Sequence, residues 1–311
     1  MAGGYGDPSF AWDKNGRVYF SWIYLTVTPP STSYFFNLNW AYSDNAGHTW
    51  NVKPNHIIGH GALDSLGSVA VYGDGLTDRE WLTIDNSGGP HQGNVYCSFT
   101  CFPPDSIPTF EAIKVLKPSI DTFGPIVSVY TGGTQFGNVE VNNTGILHIS
   151  FADLDRNRIM HASSANGGVS FTPANVISDA VSLKSGSYIV HNRENSAPSL
   201  SVDGISGTGN NVHAVWSDFP GTTVVSYYAH STDGGVTWSV PHNLNNDFPG
   251  KFTFMPTVAA NGSNVAISVT AIDSVDSAKY YQLNSTDNGS TFSPTLLSAS
   301  ATNYTAMGAA S

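Results

Sequence analysis

Charged residues are scarce in this sequence, and basic residues are scarcer still. Only 11% of the 311 residues are charged, against about 25% in an average soluble domain. The 12 lysines and arginines are outnumbered by 23 acidic residues, which gives a net charge of −11. Because nucleic-acid-binding proteins display clustered basic side chains, this composition argues against a nucleic-acid partner.

Cysteines are few, and long apolar runs are absent. Cys97 and Cys101 lie in a segment with the pattern of a strand, where residues four apart are separated by about 13 Å, too far for a disulfide. We therefore expect unbridged thiols, with Cys97 buried. No run of about 18 apolar residues occurs, so no membrane-spanning helix is predicted. The first ten residues lack the basic and apolar regions of a signal peptide.

Apolar, aromatic and small polar residues are plentiful instead. The hydrophobic fraction is 40% and the aromatic fraction is 12%, which is enough for a large core. Ser, Thr, Asn and Gly replace charged residues at the surface, a composition common in extracellular proteins and suited to strands joined by tight turns. We predict an all-β protein, secreted or at the cell surface, in which residues 1–311 form one domain.

One eight-residue segment occurs four times, at 43–50, 164–171, 231–238 and 285–292. Its third residue, Asn or Asp, can bond its own backbone, its fifth, Gly, allows a positive φ, and its last is aromatic and packs. We interpret it as a structural turn between strands. A decayed fifth copy is expected near Ser119 and Asp121. The residues that define the motif are Ser43, Asn45, Gly47 and Trp50; Ser164, Asn166, Gly168 and Phe171; Ser231, Asp233, Gly235 and Trp238; and Ser285, Asp287, Gly289 and Phe292.

Two other repeated segments precede each of these turns. Segments that end in Asp or Asn, such as 8–13 and 198–203, are followed by a short turn and then by segments such as 17–22 and 211–216, respectively. Their alternating apolar residues predict strands. A third strand leads into the eight-residue turn and a fourth leaves it. Four antiparallel strands that recur about every 60 residues predict the blades of a β-propeller. Five blades are countable, and a sixth is left open.

The eight-residue turn resembles the Asp box, or BNR repeat, of sialidases and other secreted propellers, and the resemblance covers essentially the whole chain. It implies a sialidase-like β-propeller whose Asp boxes lie at the blade periphery. Sialidase activity would require three arginines that bind the substrate carboxylate. It would also require a tyrosine activated by a glutamate as nucleophile, and an aspartate as acid and base.

Candidates for these roles come from the loops that enter the first strand of each blade and from those that join the second strand to the third. Among the five arginines, Arg17 lies in a turn at the other end of its blade. The Phe-Arg-Ile-Pro or Tyr-Arg-Ile-Pro segment that introduces the first arginine of sialidases is absent. The nominated residues are Arg79, Arg193 and either Arg156 or Arg158 for the carboxylate, Tyr188 with Glu80 or Glu194 as the nucleophile pair, and Asp7 or Asp78 as the acid.

Two functions remain open from the sequence. The scarcity of arginine favours an extracellular module that binds a glycan or a protein, or associates with copies of itself, while the resemblance implies an exo-acting glycoside hydrolase as the alternative. Asp153 and Asp155 carry alternating oxygen ligands that suit calcium. Alternatively, Asp153 and Asp218 brace their loops, because each follows a strand-ending aromatic by two residues. No other cofactor is required.

Overall fold

The computed structural model describes residues 2–27, 34–53, 57–63, 69–70, 76–103, 107–184, 195–203, 209–221, 223–273 and 277–303. In these ranges the chain forms five sheets, and its one helical element is the 3-10 turn Leu244–Asp247. No described helix is long and apolar enough to cross a membrane. The five predicted repeats correspond to five sheets, and no sixth sheet occurs among the described residues.

The strands follow one another through the sheets in chain order. The first sheet contains β1 (Ala2–Trp12), β2 (Val18–Val27), β3 (Tyr34–Ser43), β4 (Asn51–Val52), β5 (Ile58–Leu63) and β6 (Val69–Ala70). The second contains β7 (Leu76–Ile84), β8 (Val95–Phe102), β9 (Phe110–Leu116) and β10 (Val127–Thr131). The third contains β11 (Thr134–Val141), β12 (Leu147–Asp153), β13 (Arg158–Ser164) and β14 (Asn175–Asp179).

The last two sheets have the same arrangement. The fourth contains β15 (Ser199–Val202), β16 (Val212–Asp218), β17 (Val225–Ser231) and β18 (His242–Asn243). The fifth contains β19 (Phe252–Asn261), β20 (Asn264–Ile272), β21 (Ser277–Ser285), β22 (Ser293–Leu296) and β23 (Thr302–Asn303). Consecutive strands pair in each sheet, except that β4 and β5 both pair with β3, and β22 and β23 both pair with β21. The predicted all-β class with four-stranded antiparallel units is confirmed.

The described chain divides into two compact units, Met1–His148 with Ser163–Ala174, and Ile149–Ala162 with Asn175–Ser311. In the first unit, one face of the first sheet packs against the second sheet, with Tyr19 and Trp40 beside Leu82, Cys97 and Phe99. In the second unit, the fourth and fifth sheets supply a comparable apolar cluster. The central strand β8 is buried on both faces except at its last residue.

The two cysteines are free and buried, as predicted. Burial raises the pKa of the Cys97 thiol well above its ordinary value. Because the thiolate is the reactive form, this thiol is unreactive at neutral pH.

The four eight-residue segments form turns that share three hydrogen bonds. The serine hydroxyl donates to the Asp or Asn side chain and accepts the glycine amide, and the Asp or Asn oxygen accepts the amide of the seventh residue. In the turn at 231–238, Ser231 Oγ accepts a bond from the Gly235 amide at 2.9 Å and donates one to Asp233 Oδ1 at 2.7 Å. Asp233 Oδ1 also accepts the amide of Thr237 at 2.9 Å, and Asp233 Oδ2 accepts its hydroxyl at 2.6 Å. These bonds hold the Asp233 pKa at about 2, with the Thr237 hydroxyl as the largest cause. The carboxylate therefore stays charged and serves as the hub of the turn.

In the turns at 164–171, 231–238 and 285–292, the glycine at the fifth position of the motif lies against a side chain of the preceding sheet. A Cβ added to Gly235 would lie 2.2 Å from the His161 ring, and one added to Gly289 would overlap the Tyr228 hydroxyl. The final aromatic of the motif packs at the same places, because the Trp238 ring meets His161 edge-on at 5.5 Å and Phe292 meets Tyr228 at 5.0 Å. The turn thus serves as a packing element between sheets as well as a hairpin.

The expected decayed copy lies between β9 and β10, where the other sheets have their turn. Asp121 forms an ion pair with Lys53, which follows β4 of the first sheet, and the distance from Lys53 Nζ to Asp121 Oδ2 is 2.5 Å. Phe123 packs edge-on against Trp40 at 5.6 Å. An ion pair and one aromatic contact therefore link the first and second sheets here.

Candidate functional site

The first strands of several sheets carry a bulge next to a non-glycine residue with positive φ. The register of β1 slips between Gly6 and Ser9, and that of β7 slips between Asp78 and Trp81. The residues with positive φ are Asp7 (48°), Arg79 (58°), Phe136 (71°) and, in the fifth sheet, Met255 (50°). This conformation costs about 1–2 kcal/mol for an L-residue. Such bulges aim side chains and are frequent beside active sites.

In the first unit, these bulges bring together Asp7, Asp78 and Arg79. The Asp7 carboxyl lies close enough to the Asp78 carboxyl for its charge to act on that group. Burial, followed by the charge of Asp7, raises the pKa of Asp78 above its ordinary value. Arg79 Nε lies 3.9 Å from Asp7 Oδ2, and Gln135 Nε2 lies 3.5 Å from Asp78 Oδ2. The arrangement is a pair of neighbouring carboxyl groups with one neighbouring cation.

Glu80 lies directly behind this pair. Its side chain is 4% exposed, and neither of its carboxyl oxygens has a hydrogen-bond partner in another described residue. Burial, with smaller contributions from Asp7 and Asp78, raises the pKa of Glu80 to about 9. Glu80 is therefore an uncharged carboxylic acid at neutral pH. Among the nominated residues, Asp7, Asp78, Arg79 and Glu80 are the ones that the structure brings together.

Glu111 belongs to the same region but was not nominated from the sequence. It pairs in register with Thr100, which pairs with Asp78, so the three side chains share one face of the second sheet. Thr100 Oγ1 donates a hydrogen bond to Glu111 Oε2 at 3.1 Å, and Glu111 Oε1 has no partner in the described chain. Gly137 leaves room for this carboxyl, since a Cβ there would lie 2.0 Å from Glu111 Oε1.

Burial also makes Glu111 a weak acid, with its pKa raised to about 8. In the unfolded chain this group has its ordinary lower pKa, so the folded state binds more protons between the two values. Stability is therefore greater at low pH and is lost as pH rises toward about 8. We expect Glu111→Gln, which keeps the shape without the charge, to raise the free energy of unfolding at pH 8 by at least about 1 kcal/mol. Urea unfolding at pH 5 and pH 8 measures this, and an equal effect at both values would contradict it.

The other nominated residues lie elsewhere. Arg156 is half exposed and pairs with the buried Asp153, Nη1 to Oδ2 at 3.0 Å. Asp218 accepts the amides of Val181 and Ser182 at 2.7 Å each, which is a loop-bracing role. Tyr188, Arg193 and Glu194 lie outside the described residues.

Calcium binding at Asp153 and Asp155 stays a prediction. Asp153 Oδ1 accepts the Arg156 amide at 3.1 Å, so Arg156 holds both oxygens of this carboxyl. Over the residues described, no group of three or more His, Cys, Asp or Glu could hold a metal ion.

The four arginines that the structure describes each lie beside a carboxylate of their own. Besides the pairs already given for Arg79 and Arg156, Arg158 Nε lies 2.8 Å from Asp179 and Arg17 Nε lies 2.6 Å from Asp44. Arg17 lines a polar pocket of about 400 Å³ at the turn between β1 and β2, so it does lie away from the bulges. An arginine already paired with a carboxylate is poorly suited to clamp a substrate carboxylate.

Comparisons with solved structures show what fold these sheets build. No family model and no curated protein matches the chain. An α-L-arabinofuranosidase of Fusarium graminearum, bound to an iminosugar inhibitor, matches 93% of this chain and 79% of its own at 13% identity and a TM-score of 0.57. A Penicillium chrysogenum α-L-arabinanase bound to arabinobiose matches 92% and 79% at 16% identity and 0.56.

A third solved structure is an intramolecular trans-sialidase of Ruminococcus gnavus bound to oseltamivir carboxylate. It matches 86% of this chain and 73% of its own at 10% identity and a TM-score of 0.52. At these identities the likeness is one of fold. The five antiparallel sheets therefore give this chain the β-propeller fold shared by these carbohydrate-active proteins.

Proposed function

We propose that this protein is a glycoside hydrolase whose proton donor is the Asp7–Asp78 pair and whose substrate is an uncharged glycan. The observation that carries the proposal is the pair of neighbouring carboxyl groups at two bulges, which we infer to share one proton. Burial and the charge of Asp7 both favour the protonated form of Asp78, so Asp78 is the acid of the pair. This is the state that protonation of a glycosidic oxygen requires.

The pair acts in two steps. Asp78 gives the shared proton to the leaving-group oxygen as the glycosidic C–O bond breaks, and Arg79 balances the negative charge that remains on the pair. A water molecule then attacks the anomeric carbon, and its proton returns to the pair as the new C–O bond forms. We assign to the pair the supply of one proton and no nucleophilic role.

The choice of an uncharged substrate rests on charge. Arg79 is the one arginine near the pair in the first unit, and it already faces Asp7. Its guanidinium also lies 5.3 Å from the centre of the Phe136 ring. Among the described residues, a sugar carboxylate at the pair would therefore meet two aspartates and no free guanidinium. The solved arabinan-active structures make pentofuranosides the first substrates to test.

A panel of 4-nitrophenyl glycosides tests this proposal. We expect turnover of at least one neutral glycoside, such as the α-L-arabinofuranoside or the β-D-xyloside, and none of the α-sialoside. Asp44→Asn, an exposed aspartate in a turn, is the matched control and should keep the activity. Turnover of the sialoside alone would contradict the substrate class, and no turnover of any glycoside would contradict hydrolysis.

If no glycoside is turned over, the candidate function is a glycan- or protein-binding module without catalysis. The exposed aromatic rings of the first sheet favour such a role, since aromatic residues are enriched at binding surfaces. In either case we infer a secreted propeller of the sialidase-like Asp-box type, formed by residues 1–311 as one domain. The hydrogen bonds common to the four turns support that membership.

A further inference from the structure

The turn between β1 and β2 lies at the far end of β1 from the bulge at Asp7. An extended strand from Asp7 to Asp13 spans about 20 Å. A polar pocket of about 400 Å³ is formed there, where this turn meets the turn between β7 and β8. All of its lining residues belong to the first unit, so the pocket is a feature of that unit alone. We call it the turn pocket, and its lining includes Asp13, Lys14, Asn15, Arg17 and Gln92.

Hydrogen bonds hold the β1–β2 turn in one shape and fix it to the residues that follow β7. Asp13 Oδ1 accepts the amides of Asn15 and Arg17 at 2.8 Å each. The Lys14 amide donates to Asn86 Oδ1 at 2.9 Å, and the Asn86 side chain donates to the last carbonyl of β1 at 2.8 Å. Because the pocket is formed before a ligand arrives, little free energy of binding is lost to ordering of the turn.

Three polar groups of the turn pocket have no hydrogen-bond partner among the described residues. They are the Lys14 ammonium, the Asn15 side-chain amide and Asp13 Oδ2. An ammonium donates hydrogen bonds, a carboxylate oxygen accepts them, and an amide does both. The pocket therefore offers donors and acceptors side by side to a ligand.

Arg17 adds donors whose direction is fixed. Its guanidinium uses Nε and Nη2 for its partner carboxylate, and it lies 4.3 Å from the centre of the Tyr42 ring. A guanidinium has five N–H donors, so donors remain for a ligand. The ion pair also balances the charge of Arg17, which makes this residue a hydrogen-bond donor here and not a free cation for an anionic ligand.

These groups match the hydroxyls of a neutral sugar, since each hydroxyl both donates and accepts hydrogen bonds. An apolar ligand would leave the polar groups of the pocket without partners, which is costly. An anion would meet the Asp13 carboxylate next to Lys14. The volume lies near the lower end of the range of about 300–1,000 Å³ for small-molecule sites, which suits one or two sugar residues.

We propose that the turn pocket is a second carbohydrate site, which binds one or two residues of a neutral sugar without acting on them. Its hydrogen bonds replace bonds to water, so each adds little free energy, and the expected Kd is on the order of 1 mM. This inference does not depend on the proposed function, because none of its residues belongs to the carboxyl pair.

Saturation-transfer difference NMR of the full chain with L-arabinose, D-xylose, D-galactose and L-fucose tests the proposal. We expect at least one sugar to bind, and the double variant Lys14→Ala/Asn15→Ala to bind it about tenfold more weakly, since two hydrogen bonds are lost. Lys184→Ala, which removes an exposed lysine of the second unit, is the matched control and should bind as the wild type does. Urea unfolding checks that the variants remain folded.

Asp78→Asn separates the turn pocket from the carboxyl pair, and binding at the pocket should persist in this variant. Binding that is lost in Asp78→Asn would place the sugar at the carboxyl pair and overturn the second site, while leaving the proposed hydrolysis in place. The proposal is also wrong if no sugar binds at up to about 100 mM or if the double variant binds as the wild type does. Tighter binding of D-glucuronate than of every neutral sugar would contradict the ligand class.

Discussion

Replacing Asp78 by asparagine is expected to lower kcat/KM for the best neutral glycoside about 100- to 10,000-fold, the usual contribution of a general acid. Asparagine has nearly the shape of aspartate and can keep the bond from Gln135, but it cannot give up a proton. Steady-state assays of the wild type and of Asp78→Asn measure the ratio. Asp44→Asn again serves as the control for removal of an aspartate outside the site.

The choice of leaving group distinguishes two explanations for the lower activity of Asp78→Asn, namely loss of the proton donor and distortion of the site. A nitrophenolate leaves readily without protonation, whereas a sugar hydroxyl does not, so the loss in Asp78→Asn should be smaller for the nitrophenyl glycoside than for an oligosaccharide of the same sugar. Equal losses on both substrates would show that Asp78 holds the site together without donating the proton.

The pH profile gives a second signature of the pair. The Asp78 pKa is raised by burial and by Asp7, so the acid persists to higher pH than for an isolated aspartate, and activity falls as pH rises through that pKa. Asp7→Asn removes the neighbouring charge. The alkaline limb of the profile should therefore move to lower pH in this variant, and an unmoved limb would contradict the pairing.

Replacing Gly235 by alanine is expected to lower the free energy of unfolding by about 2–5 kcal/mol. Two costs add. The φ of +85° costs an L-residue about 1–2 kcal/mol, and the new methyl group would lie 2.2 Å from the buried His161 ring, where overpacking costs about 1–3 kcal/mol. Urea unfolding measures the sum.

The neighbouring glycine provides the matched control. Gly234 has a φ of +74°, but a Cβ there meets no atom within 4 Å. Gly234→Ala should therefore show the conformational cost alone, about 1–2 kcal/mol. The double variant Gly235→Ala/His161→Ala should lose less stability than the sum of its two single variants, since the clash is gone. Similar losses for Gly234→Ala and Gly235→Ala would contradict the packing role of the turn.

The parts of the fold that could be predicted are those with local causes. Alternating apolar residues fix strands such as β8 and β16, and the Ser-x-Asp-x-Gly turn closes on its own side chains. The glycine of the motif was also predictable, but only one of the two physical reasons for it was. The sequence indicates the positive φ of Gly235, whereas the lack of room against His161 depends on how neighbouring sheets pack.

The candidate site was predictable only in part, because its geometry depends on pairing between strands. Asp7, Asp78, Arg79 and Glu80 could be nominated as charges in loops that enter first strands. Nothing local marks Asp7 and Arg79 as residues with positive φ, since neither is a glycine and each bulge arises from the register of its sheet. The sequence marks Glu111 only as the one carboxylate within the apolar residues of β9. The room for this carboxyl is provided by Gly137 of the following sheet, which the sequence of β9 does not indicate.

The shared proton between Asp7 and Asp78 can be measured directly by carbon-13 NMR titration of the aspartate carboxyl groups, assigned by comparing the wild type with Asp7→Asn and Asp78→Asn. We predict that the pKa of Asp78 is above its ordinary value in the wild type and falls toward that value in Asp7→Asn. If Asp78 titrates at the same pH with and without Asp7, the two carboxyl groups do not share a proton, and the proposed acid of this hydrolase is wrong.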